Sequence, residues 1–193
     1  MSKKKLTTLN NWDWYTFRKE MSKSDDRSCA ILSASYIDHC LELVIRNSLL
    51  GTETVIKELM SGTMPLSTFS AKSKIAFCLN LIPEGFFNDI TRIRKIRNKF
   101  AHQFKGLTFD DEPIKTWAME LGTESSIEKV GISDEILSNP RDRFIVVGTL
   151  LMNELERRSA FLSPVLKEAM QNMESVEEKF TANFKEPNKE KST

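Results

Sequence analysis

Arg94, Arg97, Asn98 and His102 are the residues of this chain whose types and spacing could do chemistry. They belong to the run Ile90-Thr-Arg-Ile-Arg-Lys-Ile-Arg-Asn-Lys-Phe-Ala-His102, and between Thr91 and Lys105 there are six Lys/Arg and no acid. At 3.6 residues per turn, Arg94, Asn98 and His102 form a polar file at i, i+4 and i+8. Beside it runs an apolar stripe of Phe86, Ile90, Ile93, Phe100/Ala101 and Phe104, and Arg97 falls within that stripe. A guanidinium on a core-facing stripe is costly unless it is paired. The expected partner of Arg97 is Asp38, with Glu42 second, as a buried structural ion pair. His102 stands near a helix C-terminus, where its protonated form gains from the helix dipole, or else it contacts a ligand. Arg92, Lys95 and Lys99 are spaced as a solvated face. Together with Arg94 and His102 they could instead contact phosphate or a protein partner, giving salt-sensitive, sequence-independent binding in the phosphate case. The helix is either a polar site or an unusually polar internal brace.

The rest of the chain must position that helix. Its 193 residues suit one domain with a sizeable core, and 40% hydrophobic with 28% charged content is that of a soluble globular protein. A net charge of +1 supplies no global field, so any attraction to nucleic acid must be local. Cys29, Cys40 and Cys78 lie in apolar helical patterns without C-x-x-C spacing, and they read as buried core thiols. With two histidines in the chain there is no ligand cluster, so no metal and no cofactor is expected. No apolar run approaches 18 residues and no signal-peptide core follows Lys3-Lys4-Lys5. A cytoplasmic protein without a membrane partner is the expectation.

Apolar residues recur at helical spacing throughout, and no segment keeps a two-residue alternation. The fold class read from this is all-α: a single bundle of about six to eight helices with no sheet. Residues 1–23 read as an N-terminal segment, a polar lead-in followed by Trp12, Trp14, Tyr15 and Phe17 capping the core. Residues 24–163 form the helical domain. Ser24 is the expected cap of a helix running to about Leu50, with Gly51 as its stop. Its stripe is Ala30, Ile31, Ala34, Ile37, Leu41, Val44, Ile45 and Leu49, with Asp38 on the same side. A short helix follows at Thr52–Met60, then one over roughly Ser67–Leu81, then the arginine helix over about Glu84–Gln103. A weaker segment starts near Asp111 and points Ile114, Trp117, Ala118 and Leu121 inward. Asn139 with Pro140 caps a helix carrying Phe144, Val147, Leu151 and Leu155. Ser163-Pro164 repeats that signal and opens an amphipathic helix, 164–184, whose Leu166, Met170, Met173, Val176 and Phe180 pack on the domain or in a homodimer. Residues 185–193 read as a disordered tail.

Three segments resemble the mannitol operon repressor family. Met64-Pro-Leu-Ser-Thr-Phe-Ser-Ala-Lys-Ser-Lys-Ile-Ala-Phe-Cys-Leu-Asn-Leu-Ile82 is similar to that family's P-L-G-x-hydrophobic-S-x-basic run closing in L-G-hydrophobic-I. The second segment is the arginine helix ending in Arg97…His102, and the third is Phe109-Asp110-Asp111-Glu112. With Asn139-Pro140-Arg141-Asp142-Arg143-Phe144 the resemblance covers roughly residues 25–160. Ser67 and Asn80 stand where the family has glycines. The resemblance implies an all-helical cytoplasmic regulator of sugar-alcohol uptake and use, not an enzyme. The tight glycine turns at Gly51 and Gly62 precede no helix rich in base-reading Arg, Asn or Gln, so no helix-turn-helix is recognisable. The implied function is transcriptional regulation through a protein partner of a transcription complex, or through unconventional nucleic-acid binding. Arg-Asn-x-x-x-His also resembles the motif of HEPN-domain proteins. That alternative implies a metal-independent ribonuclease or toxin, with His102 moving a proton and Arg97, beside Asn98, stabilising phosphate charge.

Overall fold

The computed structural model describes the backbone of residues 14–103, 106–123 and 132–184, and side chains from Thr16 to Leu162 within them together with Glu168 and Asn172. Among these residues there are eight helices and no strand, the all-α bundle expected. They are α1 (Trp14–Lys23), α2 (Asp26–Ser48), α3 (Glu53–Leu59), α4 (Phe69–Cys78), α5 (Glu84–His102), α6 (Ile114–Met119), α7 (Asp134–Ser138) and α8 (Pro140–Phe184).

Helix α2 is the axis of the bundle, packed by α8, α5 and α4. Its start is set by Asp25, one residue later than the expected Ser24, with the Asp25 carboxylate accepting the Ser28 N–H at 3.0 Å. Ile37, Leu41, Val44 and Ile45 are fully buried along its length. The helix is long and apolar enough to cross a bilayer by composition, contrary to the reading of the bare sequence, and half of that apolar window is buried inside the bundle. Its apolar length serves a core with neighbours on several sides.

Helix α8 crosses α2 and supplies Phe144, Val147, Leu151 and Leu155 to the same core. Asn139 caps it as expected: its Oδ1 accepts the N–H groups of Arg141 and Asp142, both at 3.0 Å. Phe109 sits between Phe100 of α5 and Phe144 of α8, with ring centroids 5.2 and 4.9 Å away. This aromatic row ties the loop after α5 to both long helices. The expected break at Ser163-Pro164 does not occur, and α8 runs on as one helix of 45 residues. A proline removes one ladder bond while the flanking turns keep theirs, so the helix continues through it. Residues 1–13 with Trp12, Phe104 and Lys105, the tail 185–193, and the side chains of Leu166, Met170, Met173, Val176 and Phe180 lie outside the described residues.

The turn from α4 to α5 rests on Asn80, at φ +55°. Leu81 N–H donates to Ala76 O and Asn80 N–H to Phe77 O, each at 2.9 Å. This is a Schellman closure, which wants a left-handed residue after the cap. Asn80 stands where the resembled family has glycine, and asparagine is the side chain best able to replace it there.

One expectation about burial is corrected. Cys78 is exposed near the end of α4, whereas Cys29 and Cys40 are buried. On α4 the inward positions are Lys72, Ser73 and Ala76, and the cap residue Leu79 is exposed.

Candidate functional site

Helix α5 buries Asp89, Ile90, Ile93, Ile96 and Phe100. The buried stripe therefore passes through Ile96, and Arg97 flanks it, half-buried. A rotation of about 100° per residue separates the two readings, and the β-branched aliphatic takes the core because it needs no partner there. Arg97 turns toward a cavity of about 350 Å³ bounded by α2, the start of α4, and α5. Arg94, one turn earlier, lines the same cavity with Asn98. Arg97 Nη1 donates to Asn98 Oδ1 at 3.0 Å, which fixes the guanidinium along the wall.

Across the cavity stands Asp38 of α2. The expected Asp38–Arg97 ion pair is replaced by another: Lys72 Nζ of α4 lies 3.0 Å from Asp38 Oδ1 and 3.2 Å from Glu42 Oε2. Lys72 is nearly fully buried, so its charge requires these two carboxylates. Glu42 in turn meets Arg46 at 3.5 Å, and Arg46 also contacts Glu53 of α3. Asp38 and Glu42 of α2 are thus engaged by Lys72 and Arg46. Among the described residues no carboxylate lies within ion-pair distance of Arg94 or Arg97.

Ser67, Thr68 and Ser70 bring hydroxyls to the cavity where α4 begins. Thr68 is the cap, its Oγ1 accepting the Ala71 N–H at 3.1 Å. Nothing in the sequence reading singled out these hydroxyls or Lys72. The signal for Lys72 was present: it lies three and four residues before Ile75 and Ala76, on their face of α4.

The remaining basic residues of α5 go elsewhere. Arg92, expected on a solvated face, is half-buried and reaches Glu120 beyond the end of α6 at 3.0 Å and Asp89 at 3.7 Å. Asp89 is fully buried and accepts the Gly122 N–H at 3.0 Å. Lys95 is exposed, with Nζ 5.8 Å from the Trp117 ring centroid. Lys99 is half-buried, and His102 is exposed at the end of α5. His102 does not line the cavity that Arg97 and Asn98 share, so that triad is not gathered at one concave site.

Arg141 and Arg143 of α8 act as braces. Arg141 Nε meets Asp26 Oδ1 at 2.8 Å, and Asp26 Oδ2 accepts the Phe109 N–H at 3.0 Å. Buried Arg143 donates to Leu121 O at 2.6 Å and Leu137 O at 3.2 Å. Both guanidiniums satisfy carbonyls or an acid where irregular chain meets a helix.

The helix pairs joined by four residues or fewer are α1–α2, α2–α3 and α7–α8. Of their second helices, α2 and α8 belong to the core, and α3, mostly exposed after the Gly51 turn, has seven residues and no Arg, Asn or Gln to read bases. The α3–α4 connection is longer than the three to four residues of a helix-turn-helix.

A family model described as mannitol repressor matches residues 26–146. Among curated proteins none matches. Among solved structures, the chain is similar to one in the X-ray structure of the MtlR–HPr complex from Escherichia coli, with a TM-score of 0.55 and 17% identity over 73% of this chain and 99% of that one. The family match runs from the first turn of α2 into the first turns of α8, through every element that walls the cavity, and the chain belongs to the mannitol repressor family.

Proposed function

We propose that this protein regulates mannitol-operon expression by docking a protein partner of the HPr type, without reading DNA bases through a recognition helix. The observation that carries the reading is the fold shared with nearly the whole of a chain captured in a complex with HPr. The placement of α2 and α8 in the core supports it, because a buried helix cannot enter a major groove, and the exposed α3 after the Gly51 turn carries no Arg, Asn or Gln to read bases. Exposed apolar side chains offer contact area for a partner: Phe77 and Leu79 at the end of α4, and Phe161 on α8, which is 64% exposed.

Deleting the gene tests the regulatory role. Transcripts for mannitol transport and mannitol dehydrogenase should rise in cells grown without mannitol, and unchanged transcripts with and without mannitol would overturn it. Titration calorimetry of the purified protein with HPr from the same cells tests the partner. Saturable one-to-one binding is expected, and its absence would overturn the docking.

A further inference from the structure

We infer that the cavity between α2, α4 and α5 binds a small phosphate ester bearing hydroxyl groups, with Arg94 and Arg97 holding the phosphate. The inference rests on the cavity alone and is independent of the protein partner proposed above.

The charge balance selects an anion. Asp38, the acidic group on the wall, already faces Lys72 Nζ at 3.0 Å, and Glu42 is met by Lys72 and Arg46. Arg94 and Arg97 stand one turn apart on the same wall with no described carboxylate at ion-pair distance. Paired guanidiniums are the side chains suited to the planar, forked recognition of phosphate oxygens. The Arg97–Asn98 hydrogen bond preorganises one of them, which reduces the ordering cost of binding.

The other walls select the rest of the ligand. Ser67 and Ser70 add hydroxyls, the Asn98 amide adds an N–H₂ donor, and Asp38 adds an acceptor. Such groups match alcohol hydroxyls, each of which both donates and accepts. The volume of about 350 Å³ equals that of about twelve waters at roughly 30 Å³ each. It is at the small end of ligand cavities, the size of a phosphorylated small metabolite and too small for a nucleic-acid strand.

The test is calorimetric titration of the full chain with a hexitol monophosphate, the unphosphorylated hexitol and inorganic phosphate. The ester should bind saturably, inorganic phosphate at least tenfold more weakly, and the hexitol without detectable heat. Arg94→Gln and Arg97→Gln should each weaken the ester tenfold or more, while Lys74→Gln, which removes an exposed charge of α4 outside the cavity, should stay within twofold. Ser70→Asp is a further variant: an acid in the first turn favours the helix yet repels an anion in the cavity, so binding should be lost with the melting temperature kept. No saturable ester binding to the wild type overturns the inference. Equal weakening by Lys74→Gln would assign the binding to diffuse surface charge, and ester binding no tighter than inorganic phosphate would remove the role of the hydroxyl-lined walls. Hexitol binding as tight as the ester would remove the role of the arginines.

Discussion

Lys72 Nζ lies 3.0 Å from Asp38 Oδ1, so the cation that Asp38 receives comes from α4 and not from the arginine-rich α5. This relationship leaves the guanidiniums of Arg94 and Arg97 on α5 to the cavity. It also makes Lys72, in a run of mostly small and apolar residues, an electrostatic anchor of the bundle.

Lys72→Met should lower stability by about 2–3 kcal/mol. Breaking a fully buried pair costs roughly 3–5 kcal/mol, and the smaller figure applies because Asp38 and Glu42 remain about 30% exposed to water. Arg97→Met should shift stability by less than about 0.5 kcal/mol, since its contact is with the adjacent Asn98 and it holds no acid. Chemical denaturation of both variants decides the matter. A loss at Arg97 as large as that at Lys72 would place the structural ion pair back on α5.

Asn80 pays for its left-handed φ of +55°, which glycine adopts freely. Asn80→Gly should therefore be neutral or stabilising, and Asn80→Val should destabilise by about 1–2 kcal/mol, the cost of a side chain in that region. Melting temperatures moving in the opposite order would show that the Schellman closure does not limit the α4–α5 turn.

Arg143→Met should destabilise by about 3 kcal/mol or more. It removes charge-assisted hydrogen bonds to Leu121 O and Leu137 O, each worth roughly 1.5–3 kcal/mol. Hydrogen exchange should rise first near these two carbonyls. A variant with wild-type denaturation and exchange would show that the two segments hold without it.

Burial pushes the Cys29 thiol up to about 11 and the Cys40 thiol to about 12, from an ordinary value of 9.0. Above pH 9 the unfolded chain loses these protons while the folded chain keeps them, so the folded state binds more protons and stability falls as pH rises toward 11–12. Below pH 9 the two thiols contribute no pH dependence. Denaturation midpoints from pH 8 to 11 should fall more steeply for the wild type than for the Cys29→Ala/Cys40→Ala protein, and parallel slopes would contradict this. In the native protein a thiol reagent should label exposed Cys78 and reach the other two upon unfolding.

The class of the fold was legible because helix periodicity and caps are local. Asn139 with Pro140 and the stripe from Ile37 to Ile45 on α2 act within a few residues of themselves, and the structure shows them as read. The family resemblance was also legible, carried by the Met64–Ile82 run, the arginine helix and Phe109–Glu112, all inside the matched span. What the sequence could not decide was which charge meets which. Rotating α5 by a single residue exchanges Ile96 for Arg97 in the core, and both patterns fit the same string of letters. Arg97 or Lys72 could each have answered Asp38, since ion pairing acts through space between residues far apart in the chain. The packing of α4 against α2 brought Lys72 there first. The cavity exists because three helices converge at Arg94, Arg97 and Ser70, and no one of those segments contains it.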